Sequence, residues 1–184
     1  MKQAAYCIFE TPLGVCGIAW DDGGAPSCVT HFQLPEAGAE ITKSRIARNS
    51  GGQEASTPPP RIAEIIGRVQ RHLRGELQDF RDVAVDLGGA EPFSRRVYEA
   101  AREILAGQTR TYGELASILG EPNAAQAVGQ ALGNNPIPLI IPCHRVLAAA
   151  GKLGGFSAHG GQTTKTRLLE IEGACVNRSL FGAS

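Results

Sequence analysis

Long apolar runs are missing from this chain: nowhere do its 184 residues approach the roughly 18 consecutive apolar positions that a membrane span needs. Net charge is missing too. Eighteen Lys and Arg balance eighteen Asp and Glu, so overall charge gives no argument for a nucleic-acid partner. The five cysteines, Cys7, Cys16, Cys28, Cys143 and Cys175, include no Cys-x-x-Cys pair. An odd number of widely spaced thiols does not make a disulfide framework and suits a reducing compartment. A glycine-rich dinucleotide loop is absent, and with it the expectation of an organic cofactor. Met1-Lys2-Gln3 leads into alternating residues rather than a secretory apolar segment. The expectation is a cytoplasmic protein with no membrane partner, long enough for one sizeable domain or two small ones.

What is there divides near residue 90. Residues 1–91 hold nine Lys/Arg against twelve Asp/Glu, and residues 92–184 hold nine against six, so the halves carry −3 and +3. That split would orient a weak DNA binder, and sampling alone also produces it. Tyr6 to Glu10, Val15 to Trp20 and Ser27 to Phe32 read as short strands of an antiparallel sheet, separated by turns at Thr11-Pro12-Leu13-Gly14 and Asp21-Asp22-Gly23-Gly24. Residues 49–60, with Gly51-Gly52 and Pro58-Pro59-Pro60, read as a flexible loop. Ile62, Ile65, Ile66, Val69 and Leu73 recur at helical spacing until Gly75. Phe80 to Leu87 reads as a strand or an extended linker, and Gly88-Gly89 marks the boundary: 1–90 as a first domain, 91–184 as a second.

The second half is helical. Pro92 fits a helix's first turn, and Phe93, Val97, Ala100, Ala101, Ile104 and Leu105 line one face. Thr111 with Glu114 three residues on is a capping-box pattern for a short helix through Leu119. After Gly120-Glu121-Pro122, Asn123 is expected to cap a second helix bearing Ala124, Ala125, Ala127, Val128, Ala131 and Leu132. Two short helices across a tight turn fit a helix-turn-helix, although many helical hairpins never touch DNA. The small side chains of Ala124, Ala127 and Gly129 allow tight internal packing or close approach to a minor groove.

A strongly apolar segment, Ile137-Pro138-Leu139-Ile140-Ile141-Pro142, then ends on Cys143-His144-Arg145-Val146. Most buried cysteines are inert small hydrophobes, and that reading suits Cys7, Cys16, Cys28 and Cys175. Cys143 differs, because a proton acceptor and a cation are its neighbours and thiolate formation is what makes cysteine nucleophilic. Adjacent Cys and His are poorly spaced as metal ligands, so no metal is expected. A cysteine hydrolase would also use this grouping, but the small-residue helix and its hairpin would then have no job.

Ile141-Pro142-Cys143-His144-Arg145-Val146 resembles the active-site signature of the O6-alkylguanine-DNA alkyltransferases, the methylated-DNA–protein-cysteine methyltransferases. Tyr112-Gly113-Glu114-Leu115-Ala116, the Ala124–Gly129 helix, Asn135-Pro136 and Gly155-Phe156-Ser157 stand in the family's order. The resemblance covers almost the whole chain and is strongest from Pro92 through Gly173. It implies a small α/β N-terminal domain, a mostly α C-terminal domain with a helix-turn-helix, and a monomer. It also implies a partner, alkylated DNA, entered from the minor groove with the damaged nucleotide flipped out, because a thiolate cannot reach an O6-alkyl carbon in line while the base is stacked. The implied reaction is irreversible alkyl transfer from O6-alkylguanine, or from the related O4-alkylthymine, to Cys143.

By the same resemblance, His144 is the base that acts through a bridging water, Glu172 orients His144, and Asn135 forms the turn supporting the reactive segment. Tyr112 assists phosphate rotation and donates toward guanine N3. Ala124, Ala125, Ala127 and Gly129 belong to the DNA-binding helix. Ser157 lies near O6, the Val146 backbone faces the guanine amino group, and Phe156 lines the pocket. Arg145 makes structural bonds, and Lys165 is a supporting residue just before the final helix. From the residues alone, Glu172 would be a solvated helix-end charge and Lys165 a solvated helix start.

One position departs from the pattern. Gln126 stands where the family has an arginine that fills the space left by the flipped nucleotide. Glutamine can bond the orphaned base, but it is uncharged and shorter. The alkyltransferase-like lesion-binding proteins are the alternative this leaves open. They lack the acceptor cysteine, whereas Cys143, His144 and Glu172 are all present here.

Overall fold

The computed structural model of the protein describes residues 4–23 and 26–175. Its chain divides into two compact units, one of residues up to Ala90 together with Pro136–Ile140, the other of Glu91–Asn135 with the residues from Ile141 onward.

The first unit is an α/β fold. Strands β1 (Ala4–Thr11) and β2 (Gly14–Asp21) pair antiparallel from Ala4↔Asp21 to Thr11↔Gly14. Their turn is fixed by Thr11, whose Oγ1 donates to the Gly14 carbonyl at 2.7 Å and accepts from Leu13 N–H at 3.2 Å. Gly14 there has φ of +125°, which a residue with a Cβ resists. β3 (Cys28–Gln33) pairs antiparallel with β2, with an irregularity between Ala19 and Trp20. Helix α1 (Ala39–Ser50) covers the sheet, where Ile46 packs with Tyr6 and Ala19. Gly17 makes that approach possible, since a Cβ there would lie 3.0 Å from Ile46.

The segment read as a loop over 49–60 contains the end of α1 and a two-residue strand, β4 (Gln53–Glu54), which extends the sheet in parallel to β1. The sheet order is therefore β3-β2-β1-β4. Helix α2 (Pro60–Leu73) buries Ile62, Ile65, Val69 and Leu73 at the expected spacing. The stretch 80–87 is a linker with one bridge: Val29 N–H donates to Ala84 O, and Asp86 N–H donates to Val29 O, both at 2.9 Å. The excursion 136–140 is tied in by Phe32 N–H, 2.9 Å from the Pro136 carbonyl, and buries Ile137, Leu139 and Ile140.

The second unit is mostly helical: α3 (Pro92–Arg102), a two-residue strand β5 (Arg110–Thr111), α4 (Tyr112–Ile118), α5 (Ala125–Gly133), strand β6 (Val146–Leu147) parallel to β5, and α6 (Gln162–Ile171). Thr111 and Glu114 form both bonds of a capping box at the start of α4. At α5 the sequence reading needs correction. The N-cap is Ala124, with no side-chain cap, so Asn123 does not cap this helix. The Cα of Ala124 follows a turn closed by its own N–H on the Glu121 carbonyl at 2.9 Å, which displaces the asparagine by one position.

Among the described residues no helix is long and apolar enough to cross a membrane. All five cysteines are free; Cys7 and Cys16 are buried, but Cys28 is only half-buried and Cys175 is exposed, so the expectation of four core cysteines fails for those two. Burial pushes the Cys7 thiol up to about 11 and the Cys16 thiol up to about 12, which makes both poor nucleophiles.

Candidate active site

Within the second unit, α4 and α5 are held by α3, whose Tyr98 hydroxyl donates to the Ala131 carbonyl at 2.8 Å. The chain leaves α5 at Asn135, whose Nδ2 donates to the Ile141 carbonyl at 2.9 Å and so staples the reactive segment where it re-enters this unit. Cys143–Arg145 follow as a single 3₁₀ turn, with Cys143 N–H on Ile141 O at 2.8 Å and Arg145 N–H on Pro142 O at 3.0 Å. Pro142 cannot continue a regular ladder, and the tight turn separates the directions of consecutive side chains.

Those directions divide the labour. Cys143 lines a cavity of about 590 Å³, with Tyr112, Gln126, Gly129, Phe156 and Ser157 among its other walls. His144, fully buried, points away from it toward the end of α6, where its Nε2 lies 2.9 Å from Glu172 Oε1. Arg145 reaches the same carboxylate, through Nε to Oε2 at 3.0 Å and Nη2 to Oε1 at 2.8 Å, and its Nη1 donates to the Ile104 carbonyl at 2.6 Å. Glu172 is 3% exposed, so the solvated helix-end reading does not hold.

Lys165 also differs from expectation. It sits inside α6 rather than before it, is fully buried, and donates to Val146 O at 2.7 Å and Gly155 O at 3.4 Å. Its ammonium lies 5.8 Å from the centre of the Tyr112 ring. Burial lowers its pKa to about 8. Gly154, with φ of +68°, gives Tyr112 its room, since a Cβ there would meet the tyrosine hydroxyl at 3.1 Å.

The thiol itself is caught between opposing effects. Burial pushes the pKa of Cys143 up; the Asn135 side chain, the Lys165 charge, and the N–H groups of Cys143 and His144 pull it down. Desolvation is the larger effect, so the resting form is the thiol, and a base is needed to release the nucleophile. The contact of His144 Nε2 with the Glu172 carboxylate favours the tautomer that carries its proton on Nε2.

The residues singled out in the sequence fall into two groups. Tyr112, Ala125, Gln126, Gly129, Cys143, Phe156 and Ser157 line the cavity. Asn135, His144, Val146 and Glu172 are not among its walls. Ala124 and Ala127 are half-buried on α5 and are not cavity walls either. The sequence reading missed Gln130, Leu132, Gly133 and Gly155 as walls. Gln130 is one helical turn after Gln126, and that spacing was the available signal. Among the described residues no group of three His, Cys, Asp or Glu could hold a metal ion.

The methylated-DNA–protein-cysteine methyltransferase of Methanosarcina acetivorans is 38% identical over 92% of this chain and 99% of its own length. The chain belongs to that family. Its counterpart in Mycobacterium leprae is 45% identical over 89% of this chain and 88% of its own. The family model described as "6-O-methylguanine DNA methyltransferase, DNA binding domain" matches residues 92–174. The crystal structure of Mycobacterium tuberculosis O6-methylguanine methyltransferase is similar at a TM-score of 0.72 and 35% identity, over 98% of this chain and 100% of that one. The same organism's OGT in complex with DNA is similar at 0.72 and 34% identity, over 97% and 99%. The family's members thus share both halves of this chain.

Proposed function

We propose that this protein repairs DNA by transferring the alkyl group of O6-alkylguanine, and of O4-alkylthymine, irreversibly to Cys143. The observation that carries the reading is the placement of the Cys143 thiol in the wall of a cavity bounded by α5 of a helix-turn-helix, with a buried His144–Glu172 pair immediately behind it.

The damaged nucleotide leaves the duplex through the minor groove and enters the cavity, Gln126 occupying the space it vacates. His144 Nδ1 takes the thiol proton through a water, and Glu172 stabilises the imidazolium that forms. The Cys143 sulfur attacks the alkyl carbon; the S–C bond forms as the C–O6 bond breaks, and the electron pair stays with the base. The Tyr112 hydroxyl hydrogen-bonds N3 as that negative charge develops; the guanine anion then takes a proton at N1 from water while the imidazolium returns its proton to water, so the proton lost by the thiol balances the one gained by guanine. The product thioether has no leaving group for water to displace, and each molecule reacts once. The protein acts as a cytoplasmic monomer and needs no cofactor.

The test is incubation with duplex DNA containing O6-methylguanine, followed by intact-protein mass spectrometry and peptide mapping. One methyl group on Cys143 is the expected result. Lesion binding with unmodified protein would make the chain a lesion-sensing module, and free methanol with unmodified protein would make it a hydrolase.

A further inference from the structure

We propose that Arg145 is a positioning residue for thiol activation: by neutralising Glu172 through a two-point ion pair, it keeps His144 uncharged and therefore able to accept a proton. The inference deepens the repair reading above and concerns how its nucleophile is made.

The carboxylate of Glu172 is shared. Oε1 meets both His144 Nε2 and Arg145 Nη2, and Oε2 meets Arg145 Nε. All three side chains are buried, with exposures of 0%, 6% and 3% for His144, Arg145 and Glu172. In such surroundings an unbalanced charge is expensive, so the protonation state follows the sum of the fixed charges. A guanidinium stays cationic in proteins, and paired with an ionised Glu172 it sums to zero while the imidazole is neutral. Protonating His144 at rest would leave an excess positive charge in the site.

Without Arg145 the balance reverses. The Glu172 carboxylate touching the imidazole would lose the guanidinium paired with both its oxygens, and a proton on His144 would replace that cation. The histidine would then rest as imidazolium and have no lone pair for the thiol's proton. Cys143 in the same turn interacts electrostatically with Lys165 on α6, Tyr98 on α3 and Tyr112 on α4. Lys165, when charged, adds a second cation and acts in the same direction as Arg145.

The geometry shows why an arginine suits this place. Its Nη1 bond to the Ile104 carbonyl fixes the guanidinium to the segment just after α3, independently of Glu172. The fork then meets both oxygens of the carboxylate, which a lysine's single ammonium cannot do. Glu172 is thereby oriented with one oxygen toward Nε2, so the Nε2–H tautomer is favoured and Nδ1 carries the lone pair.

The test uses the full chain without DNA, so it is independent of the repair reaction. His144 is followed by ¹⁵N NMR of its ring nitrogens as a function of pH, with His144→Gln to assign it among the four histidines. In the native protein His144 stays neutral from about pH 6 to pH 8, with the proton on Nε2. In Arg145→Met the protonation midpoint rises by about one unit or more, a tenfold gain in proton affinity. Arg145→Lys keeps the cation and holds the midpoint within about 0.3 unit. The reaction of Cys143 with iodoacetamide slows in Arg145→Met chiefly on the acid side and recovers at alkaline pH. A merely structural arginine would slow it equally at every pH.

If Arg145→Met does not fold, Arg145→Gln removes the charge while an amide keeps hydrogen bonds to Glu172 and Ile104, and the same shift is expected of it. An unmoved midpoint in a folded, uncharged variant overturns the proposal. So does a proton found on Glu172 with His144 still neutral. The shift without any alkyl transfer from DNA would sink the repair reading and leave this one standing; transfer with an unmoved midpoint would do the reverse.

Discussion

On one side of the cavity, the reactive turn and α6 gather His144, Arg145, Lys165 and Glu172, all buried and held by bonds of 2.6 to 3.4 Å to one another or to backbone carbonyls. On the other side, α5 from Ala125 to Gly133 contains no charged residue, and Gln126 and Gln130 are exposed. On the first side the parts depend on one another, because His144 and Arg145 share the Glu172 carboxylate. The second side is the one that meets DNA in the proposed function, and its exposed positions can change at small cost to the fold.

The sharpest way to break this division is at the thiol. Cys143→Ala should abolish transfer completely while leaving affinity for lesion-containing DNA within about tenfold, measured by methyl mass gain and by equilibrium binding. Binding lost along with transfer would mean that the reactive side also carries recognition. Next in size is His144→Ala, which should slow single-turnover transfer at neutral pH by roughly a hundredfold and flatten its pH dependence. Full-speed transfer would remove His144 from the mechanism.

Gln126→Arg probes the other side. Arginine adds charge, reach and a stacking plane, so transfer on duplex DNA should rise, by about tenfold at most. The gain should be much smaller on single-stranded or mismatched DNA, where unpairing costs less. Rates at saturating DNA and two ionic strengths separate extrusion from simple attraction; an equal gain on both substrates would end the finger reading. The smallest effect is one of stability. Lys165 has a folded pKa of about 8 against an ordinary 10.5, so between those values the unfolded chain binds more protons and the folded state gains stability as pH rises. The melting temperature of the native protein minus that of Lys165→Met should therefore increase from pH 7.5 to about 10. A difference that falls over that range would mean that Lys165 stays charged.

Short apolar stretches between turns made β1 to β3 legible in the sequence, with Ala5–Cys7 and Cys16–Trp20 buried as continuous runs, and α2 was legible from its repeated apolar face. Helix α1 went unread for the opposite reason: it buries only Thr42 and Ile46, too few for a period to show. The thiol and the histidine were legible as neighbours, and Glu172, 28 positions away from His144, came in only through the family resemblance. Lys165 was misjudged, since a lysine is ordinarily solvated and its burial depends on two backbone carbonyls that only the folded chain brings together. Asn123 looked like a cap by residue type, but the turn before α5 decided the position instead.

The membership of residues 136–140 in the first unit also bears on the order in which the protein is made. A ribosome delivers the chain from its N-terminus at a handful of residues per second, and the strands and helices up to Leu73 emerge well before Ile137, Leu139 and Ile140. Those three side chains are buried in the finished protein, and Phe32 N–H waits for the Pro136 carbonyl. The nascent first unit must therefore persist with an incomplete core while α3, α4 and α5 are synthesised, and it is completed only three residues before the acceptor cysteine appears. A translational pause between residues 90 and 136 would lengthen the life of that unfinished state.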